Sequence, residues 1–364
     1  MNTSGLFLTA LLLVIGLAPS TEGAEKYTLH NFKKTQLSDK FFSEGANFGD
    51  FNHDGVMDIV SGPYWYAGPN FTERHEYYKA EPFNIAGYSK NFLAFTYDIN
   101  HDGWTDILII GFPGEQTWWF ENPKGKSEIW ARHVALAVTD DESPTFTDIT
   151  GDGVPDLVCA TGGQFGYAEI PKDDPTKEWK FHPVTPKRGY QRFTHGMGVG
   201  DVNGDGRQDF LEKDGWWEQP VGAASRAALG GPPRLGGPTD QAEFWKFHPV
   251  RFSEGGGSQM YAFDVNGDGR NDVVTSKAAH AYGLSWFENV PGKDGEITFK
   301  EHKFMGEKPE ENDYGVAFSQ LHAVALADMN HDGVPDIITG KRYWAHAEHD
   351  PGSLDPAVLY WFET

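Results

Sequence analysis

Three features of the sequence predict an all-β protein folded as a six-bladed β-propeller with four-stranded blades. The string Asp-x-[Asn/Thr]-x-Asp-Gly-x-x-Asp occurs six times in 364 residues, beginning at Asp50, Asp98, Asp148, Asp201, Asp264 and Asp328. Successive copies start 48, 50, 53, 63 and 64 residues apart, a period that suits a propeller blade and not a helical solenoid. Each copy also runs straight into a β-type apolar pair, such as Ile59-Val60 or Val273-Val274.

The four strands of a blade can be read around each copy. A small apolar run leads in, as in Met197 to Gly200 and Ala323 to Ala327, and the apolar pair leads out. An aromatic third strand follows: Tyr64-Trp65-Tyr66, Trp118-Trp119-Phe120, Gly166-Tyr167, Trp216-Trp217, Trp286-Phe287 and Tyr360-Trp361-Phe362. The fourth strand carries a recurrent histidine, in Trp130 to His133, Trp179 to His182, Trp245 to His248 and Phe299 to His302. The sixth blade reaches only its third strand by Thr364, so the stretch Lys26 to Phe32, with His30, is expected to supply the fourth and close the ring. Closure removes the exposed edges that an open array would leave.

Within each copy, side-chain oxygens fall at positions 1, 3, 5 and 9 and a backbone carbonyl at position 7. The donors are Asp50, Asn52, Asp54 and Asp58 in the first copy, Asp98, Asn100, Asp102 and Asp106 in the second, and Asp148, Thr150, Asp152 and Asp156 in the third. They are Asp201, Asn203, Asp205 and Asp209 in the fourth, Asp264, Asn266, Asp268 and Asp272 in the fifth, and Asp328, Asn330, Asp332 and Asp336 in the sixth. Hard oxygens at alternate positions of a tight loop suit Ca²⁺, whose coordination is flexible, better than Mg²⁺, which demands an octahedron and keeps its waters. Up to six Ca²⁺ ions are expected. Position 6 is Gly throughout, because the curl needs a backbone conformation cheap only for glycine. An EF-hand would need Glu at position 12 and flanking helices. Position 12 is instead Ser61, Ile109, Cys159, Glu212, Thr275 or Thr339, and the flanks are strand-like.

These repeats resemble the FG-GAP and VCBS families, the calcium-loaded propellers typified by the integrin α-subunit head and by many exported bacterial proteins. The resemblance spans nearly all of residues 25–364, expected as one domain. It implies Ca²⁺ at the turns between first and second strands, and ligand binding on the opposite face. Thr150 departs from the pattern at position 3, which makes the third site weaker or water-mediated. Integrin heads carry seven blades and fewer metal loops, so adhesion does not follow from the resemblance.

Residues Leu6 to Ala18 form an apolar run of 13, too short for a bilayer that needs about 20 residues. They read as the core of a signal peptide covering residues 1–24, although no Lys or Arg precedes them. The mature chain is expected to be secreted or periplasmic, without a membrane span, and a monomer. A single cysteine, Cys159, excludes an internal disulfide and is expected as a small buried hydrophobe in a strand. The net charge of −23 argues against nucleic acid as a partner. Eighteen of the 53 acidic residues are loop aspartates, so much of that charge belongs to the expected metal sites.

By register, the strand ends remote from the Asp loops surround the channel mouth. That end is uneven. In blades four to six the second strand finishes in Lys213, Lys277 and Lys341-Arg342, where blades one to three have Ser61-Gly62-Pro63, Ile110-Gly111 and Thr161-Gly162. Such a cationic arc could meet a uronate carboxylate or a sulfate, with Arg342 suited to bidentate contact. His53, His101 and His331 alternate with Gly at position 4 of the loops and are expected as exposed turn residues, while the fourth-strand histidines are expected to pack in every blade. His195, His280 and His322 break the repeat. They could serve as general acid or base, as sugar-binding donors, or as ligands to a second, transition-type metal. The candidate ligand-binding residues are therefore His195, Lys277, His280, His322, Lys341 and Arg342. Insertions at residues 221–243 and 345–358 interrupt blades four and six, and the second could act as a lid; Trp344 and Tyr282 could stack on a sugar.

The leading expectation is a binding module for a polysaccharide, an acidic sugar or another extracellular ligand, with catalytic residues unassigned. One alternative is a carbohydrate lyase or dehydratase, as in rhamnogalacturonan lyases and, more loosely similar, aldos-2-ulose dehydratase. There His280 or His322 would abstract a proton while Lys277, Lys341 and Arg342 stabilise the resulting charge. A structural or adhesive repeat protein is the other alternative.

Overall fold

Every Asp loop joins two antiparallel strands in the computed structural model, which describes residues 32–221, 244–343 and 346–364. The apolar pair after each loop drives this, because β-branched and aromatic residues pack well on a pleated surface. The ninth-position Asp is the first residue of each second strand.

Unit one comprises β1 (Ala46–Gly49), β2 (Asp58–Ser61), β3 (Tyr64–Tyr66) and β4 (Arg74–Glu76). Unit two follows with β5 (Leu93–Tyr97), β6 (Asp106–Ile110), β7 (Glu115–Glu121) and the first part of the long strand β8 (Ala131–Thr147). The second part of β8 opens unit three, which continues through β9 (Asp156–Thr161), β10 (Gln164–Glu169) and β11 (Lys180–Pro183). Unit four holds β12 (Met197–Gly200), β13 (Asp209–Glu212), β14 (Gly215–Glu218) and β15 (Lys246–Pro249). Unit five holds β16 (Gln259–Phe263), β17 (Asp272–Ser276), β18 (Leu284–Pro291) and β19 (Ile297–Met305). Unit six has β20 (Val324–Ala327), β21 (Asp336–Lys341) and β22 (Val358–Phe362). Each unit is an antiparallel meander, and β12 pairs in parallel with β16 to fuse units four and five into one sheet. Glycine permits that approach: a Cβ on Gly198 would lie 1.9 Å from the Met260 carbonyl oxygen.

Apolar cores seal consecutive units together. Phe51, Trp65 and Tyr77 of unit one pack with Ile107 and Phe120 of unit two. Trp119 of unit two meets Leu157, Cys159 and Trp179 of unit three, so Cys159 is the buried small hydrophobe expected. Phe165 joins Met197 and Phe210, Trp216 joins Val273 and Phe287, and Val274 joins Val324, Ile337 and Phe362 across the next three seams. Among the described residues no such core joins unit six to unit one. A cavity of about 720 Å³ stands at that seam, with Phe41 and Ile85 on one side and Ile338, Val358 and Leu359 on the other.

The recurrent fourth-strand histidines His133, His182, His248 and His302 pack as expected, and His75 of unit one, which the sequence did not single out, packs in the same way. His75, His133, His182, His248 and His302 each sit beside a third-strand Trp or Tyr, with centroids 4.0, 4.5, 5.2, 4.0 and 4.2 Å from Trp65, Trp119, Tyr167, Trp216 and Trp286. Each also meets a Glu, as His248 Nε2 meets Glu218 Oε2 at 2.8 Å. The signal peptide assigned to residues 1–24 lies outside the described residues. So do the closing strand, apart from Phe32, and the insertion at 221–243, apart from Val221.

Candidate functional site

The Asp loops share one hydrogen-bond plan. In the first loop, Asp50 accepts the backbone N–H groups of Asp54 and Gly55, Asn52 also accepts that of Asp54, and Asp54 accepts that of Val56. The second, fourth, fifth and sixth loops repeat it. Position 6 is glycine at φ between 82° and 93° in all six, and the position 4 histidines His53, His101 and His331 adopt the same left-handed turn, exposed. In the third loop Thr150 breaks the plan, its hydroxyl donating to Asp148 at 3.4 Å.

The ninth-position carboxylates do more than face the loop. Asp58 accepts the Phe51 and Gly68 N–H groups, each at 2.9 Å, tying the loop to the end of the third strand. Asp106, Asp209, Asp272 and Asp336 do the same. Burial raises these carboxyls, to about 7 at Asp106, Asp156 and Asp209. A neighbouring cation offsets that desolvation, and carboxylate oxygens retain further lone pairs for one. The donor set, all oxygen, fits Ca²⁺. Basic side chains already stand at position 5 in four loops: Lys124 at 3.4 Å from Asp102, Lys172 at 3.0 Å from Asp152, and Arg207 and Arg270 on Asp205 and Asp268. In the first and sixth loops that oxygen accepts from the Asn52 or Asn330 amide instead.

At the opposite strand ends the histidines that break the repeat come together. His195 precedes β12, His280 lies between β17 and β18, and His322 precedes β20. Their ring centroids are 4.9, 5.1 and 5.6 Å apart. The glycine run 255–257 lets unit five pass close by: Gly256, at φ +87°, would place a Cβ 2.2 Å from the His195 carbonyl oxygen. His280 Nδ1 meets Asp350 Oδ2 at 2.8 Å, and His322 Nδ1 faces the Gln320 carbonyl at 3.3 Å. A fourth imidazole, His346, on the short 3-10 turn after β21, brings its Nε2 to 3.3 Å from His322 Nε2. Burial pushes the His322 imidazole down to about 4, so it is neutral at physiological pH. Burial pushes the Glu142 carboxyl up, but His195 at 3.2 Å holds it below its ordinary value.

His322, His346 and Glu142 face the large cavity between units six and one, together with Phe41, Glu44, Tyr88, Phe92 and Arg342. Its aromatic rim continues from Tyr88 through Phe112, 5.4 Å away, to Phe193, 5.9 Å further. A second cavity, of about 380 Å³, adjoins His195 and holds Glu212. Glu212, at position 12 of its copy, is far from any EF-hand role: it accepts from Arg188, Tyr190 and Trp217 at 3.0 to 3.1 Å.

The cationic arc is not free. Lys213 pairs with Asp214, and Lys277 lies 3.1 Å from Glu301 and over the Phe287 ring. Lys341 is buried and donates to the Gly352 and Asp355 carbonyls, while Arg342 pairs with Glu44 at 3.4 Å. Lys277 therefore does not join the histidines, while Lys341 lines the same cavity as His322 and His346 with its ammonium engaged by backbone carbonyls. Trp344 lies outside the described residues, and Tyr282 bridges to Ser319. Sequence register does not find His346, Asp350 or Tyr88. The first two sit in an insertion that no repeat can place, although the run His-Ala-Glu-His-Asp from 346 to 350 is dense in ligand-type side chains.

The family model of the FG-GAP-like repeat matches residues 98–159 and 264–339, which take in the second and third and the fifth and sixth Asp loops with their strands. The chain carries FG-GAP-like repeats in these two regions. No curated protein sequence matches the chain. Among solved structures it is similar to an Agrocybe aegerita lectin studied for recognition of non-reducing terminal N-acetylglucosamine, at 16% identity and a TM-score of 0.45, covering 87% of this chain and 79% of that one. It is also similar to the V. cholerae biofilm matrix protein Bap1, at 14% identity and 0.33, covering 74% and 37%. An α-L-arabinofuranosidase from Lactobacillus brevis follows at 11% and 0.36, covering 74% and 88%. At identities and scores this low, what those proteins bind or cleave does not transfer to this chain. Among the described residues no helix is long and apolar enough to cross a membrane.

Proposed function

We propose that this FG-GAP repeat protein is an exported, calcium-braced six-bladed propeller that binds a carbohydrate at the strand ends remote from its Asp loops. One observation carries the reading: a single cavity gathers the faces of Phe41, Tyr88 and Phe92, the Glu44–Arg342 pair and the imidazoles of His322 and His346. Aromatic faces with a few convergent polar groups suit a polyhydroxylated ring, which stacks on one and hydrogen-bonds the others. Because Lys213, Lys277 and Lys341 are each engaged, the ligand is a neutral saccharide and not a uronate.

The scaffold part of the reading rests on the repeat. Ca²⁺ at the Asp loops would be held by the oxygens at positions 1, 3, 5, 7 and 9, and would supply positive charge beside the buried ninth-position carboxylates.

Calorimetric titration with neutral and uronate oligosaccharides tests the ligand. A neutral saccharide should bind, Tyr88→Ala should weaken it at least tenfold, and Lys277→Ala should leave it unchanged. Uronate binding that depends on Lys277, or saccharide binding indifferent to Tyr88→Ala, would overturn the assignment.

A further inference from the structure

The histidine cluster has the features of a metal site of a kind unlike the Asp loops. His195, His280 and His322 come from units four, five and six, and each offers a ring nitrogen within 4.8 Å of the others. Imidazoles bound to one tetrahedral ion at about 2.0 Å per bond have centroids about 5 Å apart. The observed 4.9, 5.1 and 5.6 Å match that spacing.

The outer partners fit as well. A ligating imidazole characteristically gives its other N–H to a carboxylate or a backbone carbonyl, which fixes tautomer and orientation. His280 Nδ1 has Asp350 and His322 Nδ1 has the Gln320 carbonyl, so both turn Nε2 inward. Gln320 itself is held at φ +64°, a conformation rarely adopted by a residue with a side chain. Independently, the Nε2 of His195 is buried and makes no well-formed hydrogen bond, its nearest partner being the Glu142 carboxylate at 3.2 Å. A buried polar atom without a partner is costly unless something else satisfies it.

We propose that His195, His280 and His322 form a transition-metal site of the Zn²⁺ class, with His346 at the fourth position. The separation of 3.3 Å between His346 Nε2 and His322 Nε2 equals the edge of a tetrahedron with arms of about 2.0 Å. Imidazole donors select Zn²⁺ and its neighbours in the transition series, whereas Ca²⁺ takes oxygen. The three framework histidines lie next to strands, and His346 belongs to the insertion over the cavity, so a ligand's oxygen can replace His346 without dismantling the site. A metal so placed polarises a carbonyl or hydroxyl brought against it. The inference does not rest on the ligand being a carbohydrate.

The test uses tag-free full chain held in millimolar Ca²⁺, so that the Asp loops are not the variable. Calorimetry with Zn²⁺ should show one equivalent bound, and Co²⁺ substitution should give the visible bands of a tetrahedral nitrogen site. His280→Ala and His322→Ala should each weaken Zn²⁺ by more than about 100-fold, and Asp350→Asn by about 10- to 100-fold. His346→Ala should keep the stoichiometry and change the Co²⁺ spectrum. Failure of the unmutated protein to bind Zn²⁺ or develop Co²⁺ bands overturns the proposal, whatever the variants do. Binding that survives in folded His280→Ala and His322→Ala, checked by circular dichroism, overturns it too.

Discussion

The two ends of each unit obey different rules. At the loop end, six copies of one string make nearly the same hydrogen bonds within a span of nine residues, and each copy is complete in its own unit. At the other end nothing repeats, and partners come from far apart in sequence: Glu44 meets Arg342, 298 residues away, and His280 meets Asp350, 70 away. A motif satisfied locally can be copied without loss, so its repetition marks scaffold. A group completed only by other units cannot be copied, and its asymmetry marks the site.

That division can be broken from either side. The largest loss is expected where seams are sealed. Trp119, fully buried between units two and three, should cost about 3–5 kcal/mol as Trp119→Ala, read by urea unfolding. Gly198→Ala should cost about 1–3 kcal/mol, because its Cβ meets backbone of unit five and the parallel pair of β12 with β16 must part. A smaller effect, about 0.5–1.5 kcal/mol, is expected for His248→Ala, which loses a stack on Trp216 and the Glu218 contact. The least change in stability is expected for Thr150→Asn, which restores the shared plan of the third loop and should tighten its Ca²⁺ by a few-fold in calorimetry; an unchanged or weaker affinity would mean that position 3 does not face the ion.

The loop end was legible in the sequence because periodicity reports what repeats. The strands, the glycine at position 6, the exposed His53, His101 and His331, and the packing of fourth-strand histidines all follow from spacing and short-range geometry. The far end was legible only by exception. His195, His280 and His322 stood out for failing to repeat, and they do converge. Lys277 and Lys341 stood out equally, but Glu301 draws the first away and two backbone carbonyls of the insertion engage the second in the wall of the His322 cavity. Register counting places a side chain at a strand end but carries no information on its partners. Nor can it position Tyr88, His346 and Asp350, which lie in segments without a repeat to count.

The claim that the Asp loops are metal-braced scaffold is tested most directly by thermal unfolding in millimolar Ca²⁺ and again in excess EGTA. Ions bound only by the folded chain stabilise it by mass action. The account predicts a melting temperature lower by several degrees or more in the chelator, restored when Ca²⁺ is returned. An unchanged melting temperature would contradict it.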